Sequence, residues 1–370
     1  MTARLVPVTD DEEYLRLAEG FPLPAEQAPV WDRFDTAVAD RRPWGRLAFY
    51  SAQNVSGDRP DALVSFTRLD LPGGLAFLWA KLGPVWRQEP TAEQEADLRR
   101  LLVAALRRTD PRVVFARMHV QHDAGDVLPM MRGITYDQTV VVTLGVSDEE
   151  LMASLKKRGR RDVRKALRDE SLTVSEETGI SLEGFRELYT LLEETGERGG
   201  YGVHPAEHYH AMMDSLGPGH ARLFVTRRDG RPLSWGLVTV HGEFAAYSWA
   251  ASNAEGRSAL AADAMVWLIL TTLNAAGVRT FDMGGAGSER YPGLNNLTQF
   301  KTKFNEHVVP YPAARDIPAR PALYRALGAA RTARHGLRSA LSGARDLPQN
   351  LSGAGQRTLG SLRRAARRLP

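Results

Sequence analysis

The sequence predicts an α/β (α+β) protein made of two successive units, each a mixed sheet flanked by helices, followed by a basic tail. Three observations carry this expectation. The chain has 370 residues, 43% of them hydrophobic and 25% charged, which are ordinary globular values. At about 100–200 residues per domain, that length fits two. A grammar of helices and strand-like segments then runs through residues 1–146 and recurs in 147–312. Finally, the net charge of +4 hides a split: residues 313–370 hold twelve Arg and two Asp, whereas residues 1–312 hold 36 basic and 42 acidic residues. An acidic body argues against wholesale nucleic-acid binding, and the basic tail is either a solvated segment or one that meets an anionic surface.

In the first unit, segments 45–50, 61–67 and 74–80 read as strands, the last running into Lys81-Leu82-Gly83-Pro84. Thr91 caps a helix over 91–108, with Glu93 and Glu95 at the positive end of its dipole and Leu98, Leu101, Leu102, Ala105 and Leu106 on one stripe. Segments 112–118 and 139–144, rich in β-branched residues, are further strands. Ser147-Asp148-Glu149-Glu150 opens the second unit with a capping signal, and the helix is expected to continue through Ala166. Helices over 181–198 and 205–216 follow. Segments 221–227 and 232–240 then pair around Asp229-Gly230, a strong hairpin signal. A strand at 243–250, a helix at 260–275 and a strand at 280–283 complete the unit. Beyond residue 312 aromatic and β-branched residues nearly vanish, and leucines at 323, 327, 337, 341, 359, 362 and 369 suggest one or two basic amphipathic helices or a disordered tail.

Composition removes several chemistries. With no cysteine there is no disulfide framework, thiolate metal site or cysteine nucleophile. The longest strictly apolar run, Ala264–Leu270, is far short of the roughly 20 residues a membrane span needs. The N-terminal stretch shows no apolar signal core, so a cytoplasmic protein is expected. His204 and His208 share a helical spacing, but Pro205 places the first at or before the cap and no third ligand is evident; no metal site is predicted.

Two features point to chemistry. Between Lys156 and Arg168 lie eight cations and one acid, including Lys156, Lys157, Arg160, Arg161, Arg164 and Lys165. This run is either a solvated face or a phosphate or RNA contact. Phe300-Lys301-Thr302-Lys303-Phe304 follows the glycine-rich Asp282-Met283-Gly284-Gly285-Ala286-Gly287 segment, in a chain with only six lysines. A compact ammonium suits one developing oxyanion, where Arg would suit a planar anion.

The order of motifs resembles the Fem-type (FemABX) aminoacyltransferases. The matching pieces are Gln27 to Trp31 with Phe34; Leu82-Gly83-Pro84-Val85; Leu155 to Arg161 with Arg164-Lys165-Ala166; Glu194-Thr195 with Arg198-Gly199; and His208-Tyr209. Tyr247 with Ala250–Ser252, Gly277, Phe281-Asp282-Met283-Gly284-Gly285, and Gly293-Leu294 with Phe300-Lys301 and Phe304 complete the series. The match spans about residues 20–312. It implies two tandem GNAT-like acyltransferase domains and transfer of an aminoacyl group from aminoacyl-tRNA to an amine of a peptidoglycan precursor. The acceptor would be UDP-MurNAc-pentapeptide or lipid II, with no cofactor beyond the charged tRNA. Lys301 takes the family's oxyanion-stabilising place and Phe300 orients the reacting groups. Arg198, Tyr209 and Tyr247 fall on precursor-binding positions.

The chain also departs from the pattern. The lysine usual shortly after the N-terminal Trp has no counterpart in Trp31-Asp32-Arg33-Phe34-Asp35, so that phosphate contact is missing or moved to Arg33; His119 stands in the place of a carboxylate, still able to accept a proton near neutral pH; and His204 and His208 stand where a basic residue and a tyrosine are usual. The alternatives are an N-acyltransferase using acyl-CoA, whose pyrophosphate loop is not supplied by Glu255-Gly256-Arg257-Ser258-Ala259-Leu260, and a membrane-associated non-catalytic scaffold. If the precursor is lipid-linked, the tail is expected to touch the inner membrane surface.

Overall fold

The computed structural model describes residues 2–54 and 57–343, with the backbone alone for 334–343. The first sheet contains β1 (Arg4–Val8), β2 (Arg41–Tyr50), β3 (Ala62–Leu71), β4 (Leu75–Trp79), β5 (Val85–Trp86), β6 (Val113–Val120) and β7 (Leu128–Pro129). Helices α1 (Asp11–Leu17), α2 (Trp31–Ala37) and α3 (Ala92–Thr109) interrupt it. The expected Thr91 cap forms, as a full capping box with Gln94, and Leu98, Leu102 and Leu106 are buried on the predicted stripe. Because α3 crosses over between them, β4 and β6 pair in parallel, Ala76 opposite Val113, while the other pairings are antiparallel.

The second half repeats this plan. Helices α4 (Asp148–Ser154), α5 (Lys157–Ala166), α6 (Leu182–Gly199), α7 (Ala206–Leu216), α8 (Ala254–Ser258) and α9 (Ala261–Ala275) accompany β8 (Gln138–Thr143), β9 (Leu172–Glu176), β10 (Ala221–Arg228), β11 (Arg231–His241), β12 (Phe244–Ser252) and β13 (Thr280–Ala286). After β13 come α10 (Asn295–Lys301), β14 (Val309–Pro310) and β15 (Ala313–Pro318). Asp229 and Gly230 take φ of +49° and +78°, the left-handed pair that a tight β10–β11 hairpin demands. Again a helix, α9, links two parallel strands, and its buried Val266, Ile269, Leu270 and Leu273 share a core with Val140, Val142 and Phe281. The β12–β13 pairing covers only Phe244–Thr280 to Ala246–Asp282. Beyond that point both strands continue unpaired with each other, so the sheet opens into a splay.

Three sequence expectations need correction. The boundary at 146/147 separates β8 from the sheet it joins, because β8 pairs with β13 and β14 in the order β14-β8-β13-β12-β11-β10-β9. The basic tail does not begin at 313. Residues Ala313–Pro318 return to the first sheet as β15, in the order β1-β2-β3-β4-β6-β15-β7, where Arg117 and Asp316 pair across the sheet at 2.7 Å. Each sheet thus completes itself with a strand from beyond the sequence boundary, and residues Met1–Ala319 make one compact unit. The single helix expected from Ser147 to Ala166 breaks at Leu155-Lys156, which are extended. Tertiary contact overrides the local pattern there: the Lys156 N–H donates to the Lys303 carbonyl (3.1 Å), and a Cβ on Gly159 would lie 2.1 Å from that oxygen.

Arg320–Pro370 form the second unit, of which α11 (Pro321–Gly343) is described. The tail positions Leu359, Leu362 and Leu369 lie outside the described residues. Among the described residues no helix is long and apolar enough to cross a membrane.

Candidate functional site

Where β12 and β13 part, β13 turns through Gly284 at φ +73°, a conformation that favours glycine. The turn lies against the lysine: a Cβ on Gly284 would stand in van der Waals contact, 3.7 Å, with both the Lys301 Nζ and the Tyr247 carbonyl oxygen. Helix α10 is held against this turn by the Gly287 N–H, which donates to Thr298 Oγ1 at 2.7 Å, and delivers Lys301 at its last position. The Lys301 ammonium is buried and donates to the Gly285 carbonyl at 2.7 Å. Burial pushes its pKa down to about 8, with the Asp282 carboxylate opposing the shift. Asp282 Oδ1 accepts the Gly284 N–H at 2.7 Å and the Thr139 hydroxyl, and burial raises its pKa.

A second polar group faces this one across the sheet. Strand register places Thr239, Ala246 and Asp282 side by side on β11, β12 and β13, so the small Ala246 separates two polar positions on one face. Above Thr239 lies Glu26, in a 3-10 turn (Ala25–Gln27) wedged between β3 and β11. The turn is fixed by the fully buried Gln27, whose amide donates to the carbonyls of Ser65 (3.1 Å) and Lys81 (2.9 Å) and accepts from the Ser65 N–H (2.8 Å). Gln27 also explains Gly83, where a Cβ would come within 2.4 Å of that amide. Glu26 Oε1 takes the Lys81 ammonium at 3.1 Å and the Thr239 hydroxyl at 3.3 Å. Lys81 in turn sits 5.0 Å from the Trp31 ring centre and 4.6 Å from that of Trp249.

Tyr136 and Tyr311 line the same region, with rings 5.3 Å apart, and the charges of both Glu26 and Asp282 reach their hydroxyls. Nothing in the sequence marked Glu26, Tyr136, Thr239 or Tyr311. They come together only because a turn near the N-terminus packs against both β3 and β11.

The residues singled out from sequence divide. Phe300 packs edge-on against Phe304 at 5.4 Å, half-buried beside the second core. Tyr247 lies over Gly236, where a Cβ would approach its ring to 2.6 Å, and its main chain rather than its hydroxyl faces Gly284. Tyr209 is a core residue, its hydroxyl accepting the His204 N–H at 3.1 Å. Arg33 and Arg198 are exposed, and among the described residues no hydrogen bond or ion pair joins either to Lys301; Arg198 donates to Thr195 Oγ1 at 3.3 Å. The proton uptake expected of His119 near neutral pH is corrected by its setting. The ring is buried, Nδ1 is bonded to the Pro312 carbonyl at 2.7 Å, and its pKa is pushed down to about 4. His204 stacks on His208 at 4.1 Å, and burial lowers both pKa values, His208 to about 3.

Of the basic run, Arg160 closes carbonyls at the end of α4, donating to Ala153 at 2.9 Å and to Leu155, and Arg161 pairs with Asp162 at 3.0 Å. Lys156, Lys157, Arg164 and Lys165 are exposed, with no side-chain partner among the described residues. A surface groove beside them is lined by Met152, Arg160, Arg164 and Trp267. Lys303, the other lysine of the Phe-Lys segment, is structural: its ammonium ties Asp162 (3.0 Å) to Asp263 (2.6 Å).

An acyl-CoA pyrophosphate would need free N–H groups ahead of α9. That loop is instead filled by α8, whose Gly256 and Arg257 N–H groups donate to Asn253 at 2.7 and 3.2 Å, while the N–H groups of Ala259 and Leu260 are also internally bonded. A Cβ on Gly256 would meet the Leu233 carbonyl at 2.3 Å, and the buried Asp263 carboxylate occupies the first turn of α9. The N–H groups of Gly256, Arg257, Ala259 and Leu260 are therefore not free to cradle a pyrophosphate.

Comparison with known proteins places the fold. A search of curated proteins found no match. Residues 153–292 match a family described as an acetyltransferase (GNAT) domain. The crystal structure of FemX is similar at a TM-score of 0.65 and 16% identity, covering 89% of this chain and all of FemX. Weaker likenesses are a tandem GNAT protein from the clavulanic acid biosynthesis pathway (TM-score 0.47, 12% identity, 86% of this chain and 98% of that one) and the C-terminal domain of a putative lysylphosphatidylglycerol synthetase from Agrobacterium fabrum (0.45, 16%, 83% and 92%). Two mixed sheets, each with a helix crossing between parallel strands, together with the GNAT match and the FemX superposition, give this chain a Fem-like tandem GNAT fold.

Proposed function

We propose that this protein is an acyltransferase that moves an aminoacyl group from the ester of an aminoacyl-tRNA to an amine of a peptidoglycan precursor stem peptide, either UDP-MurNAc-pentapeptide or lipid II. The observation that carries this reading is the buried Lys301 ammonium beside the side-chain-free Gly284 at the splay of β12 and β13. A neutral amine adds to the ester carbonyl, forming a C–N bond and an oxyanion, and collapse breaks the C–O bond to the ribose. Lys301 supplies positive charge to the oxyanion and a proton to the departing ribose oxygen; the neutral lysine left behind takes up the proton that the attacking nitrogen loses, which restores the ammonium and balances the charges. Phe300 walls the reacting groups, and Lys156, Lys157, Arg164 and Lys165 offer the tRNA backbone an exposed cationic face. The misfit of the α8 loop to a pyrophosphate supports an aminoacyl ester over acyl-CoA as donor.

Purified protein given charged tRNA and either precursor is expected to form an extended stem peptide, read by mass spectrometry. Lys301→Ala should lower the rate by about 10²–10³-fold, the usual cost of one oxyanion donor. Failure of a panel of aminoacyl-tRNAs, with consumption of acetyl-CoA instead, would overturn the reading.

A further inference from the structure

Glu26 is only 3% exposed, yet it is half satisfied. Its Oε1 holds Lys81 and Thr239, while Oε2 is buried with no hydrogen-bond partner among the described residues. A buried carboxylate oxygen without a donor is costly to keep, and the turn that carries it is clamped by three Gln27 hydrogen bonds, so Glu26 cannot easily turn away. Around it stand groups whose chemistry suits an amine. Trp31 and Trp249 present ring faces that already attract the Lys81 ammonium, and Ser248 and Thr239, 2.9 Å apart, add hydroxyls. Ser248 owes its position to the irregularity in β12, where Tyr247 and Trp249 pair with consecutive residues of β11 and leave it as the extra residue between them. This group lies on the sheet face shared with Asp282, across Ala246 from the Lys301 turn.

We propose that Glu26 Oε2 receives a primary amine of the substrate, with Lys81 fixing the other carboxylate oxygen and Trp31 and Trp249 flanking the bound group. This assignment rests on the aminoacyl-transfer reading, in which two primary amines enter the site: the α-amine of the donated aminoacyl group and the accepting amine of the stem peptide. Either can donate an N–H to Oε2, and the test separates them.

Binding is measured by titration calorimetry with two pairs of ligands. The donor pair is a set of aminoacyl-adenosines in which an amide replaces the transferable ester, with the α-amine free or acetylated. The acceptor pair is UDP-MurNAc-pentapeptide with its side-chain amine free or acetylated. In one pair, acetylation is expected to weaken binding to the parent protein by about 10–100-fold, the range for a hydrogen bond to a charged group. Glu26→Gln should remove that difference while binding the acetylated ligand as the parent does, which also shows that the variant folds. Glu26→Asp, which withdraws the carboxylate by one methylene, should give an intermediate loss and serves if the Gln variant does not fold. Equal binding of free and acetylated ligands in both pairs overturns the Glu26 assignment and leaves the aminoacyl reading intact. Binding of no ligand at all overturns the aminoacyl reading and this assignment with it.

Discussion

Lys301 and Lys303 are two residues apart and chemically identical, yet the fold gives them opposite tasks. Lys303 is consumed by Asp162 and Asp263, whereas among the described residues Lys301 has only a carbonyl as its hydrogen-bond partner and Asp282 as a more distant charge. Burial without an ion pair lowers the Lys301 pKa to about 8. The sign is set by the charged form doing the work: Lys301 is an ammonium below that value and neutral above it. The transfer rate is therefore expected to fall as pH rises through about 8, once the acceptor amine's own titration is separated by using acceptors of different amine pKa. An alkaline limb that stays put when Asp282 is replaced by Asn would count against this coupling, because losing the carboxylate should move it to lower pH. His119 is expected to stay neutral until pH falls to about 4 and so to contribute no limb near neutrality.

At the scale of elements, α5 shows why propensity alone misleads. Gly159→Ala would favour the helix by about 1 kcal/mol on intrinsic grounds. Its Cβ, however, would lie 2.1 Å from the Lys303 carbonyl, a backbone atom with little freedom to move, and overpacking of this kind costs about 1–3 kcal/mol. A net loss in the urea midpoint is expected; a gain would mean that α5 does not dock as described. Lys303→Ala, which strands two buried carboxylates, should cost about 3–5 kcal/mol by the same measurement. The capping boxes at Thr91 and Ser147, the α9 core helix and the Asp229-Gly230 hairpin could all be read from sequence, because each is decided by neighbours within a few positions. The break at Leu155-Lys156 could not, since its cause lies almost 150 residues away in Lys303.

For the molecule as a whole, the crossing of strands between the sequence-defined halves is the main structural fact. β15 joins the first sheet only after the whole second sheet has been laid down, and its Asp316 holds Arg117 by two hydrogen bonds of 2.7 and 3.1 Å in the interior. Asp316→Ala should destabilise the protein by about 3–5 kcal/mol through the charge it leaves behind. The two halves should then lose cooperativity, visible as separated transitions by fluorescence and circular dichroism. Charge on the surface is a separate matter. Replacing Lys156, Lys157, Arg164 and Lys165 with Gln should leave folding unchanged while lowering the salt dependence of tRNA binding by about 0.7–0.9 per lost phosphate contact. An unchanged slope would return this face to simple solvation.

Local chemistry was enough to read the succession of helices and strands and the tandem α/β plan, since caps, turns and periodicity act over a few residues. Folding decided which strand completes which sheet, that Tyr209 and Lys303 serve the core, that His119 is a weak base, and that Glu26 faces Asp282 across Ala246. These depend on burial and on contacts between distant segments, and a side chain's charge and freedom are properties of its surroundings rather than of its place in the chain.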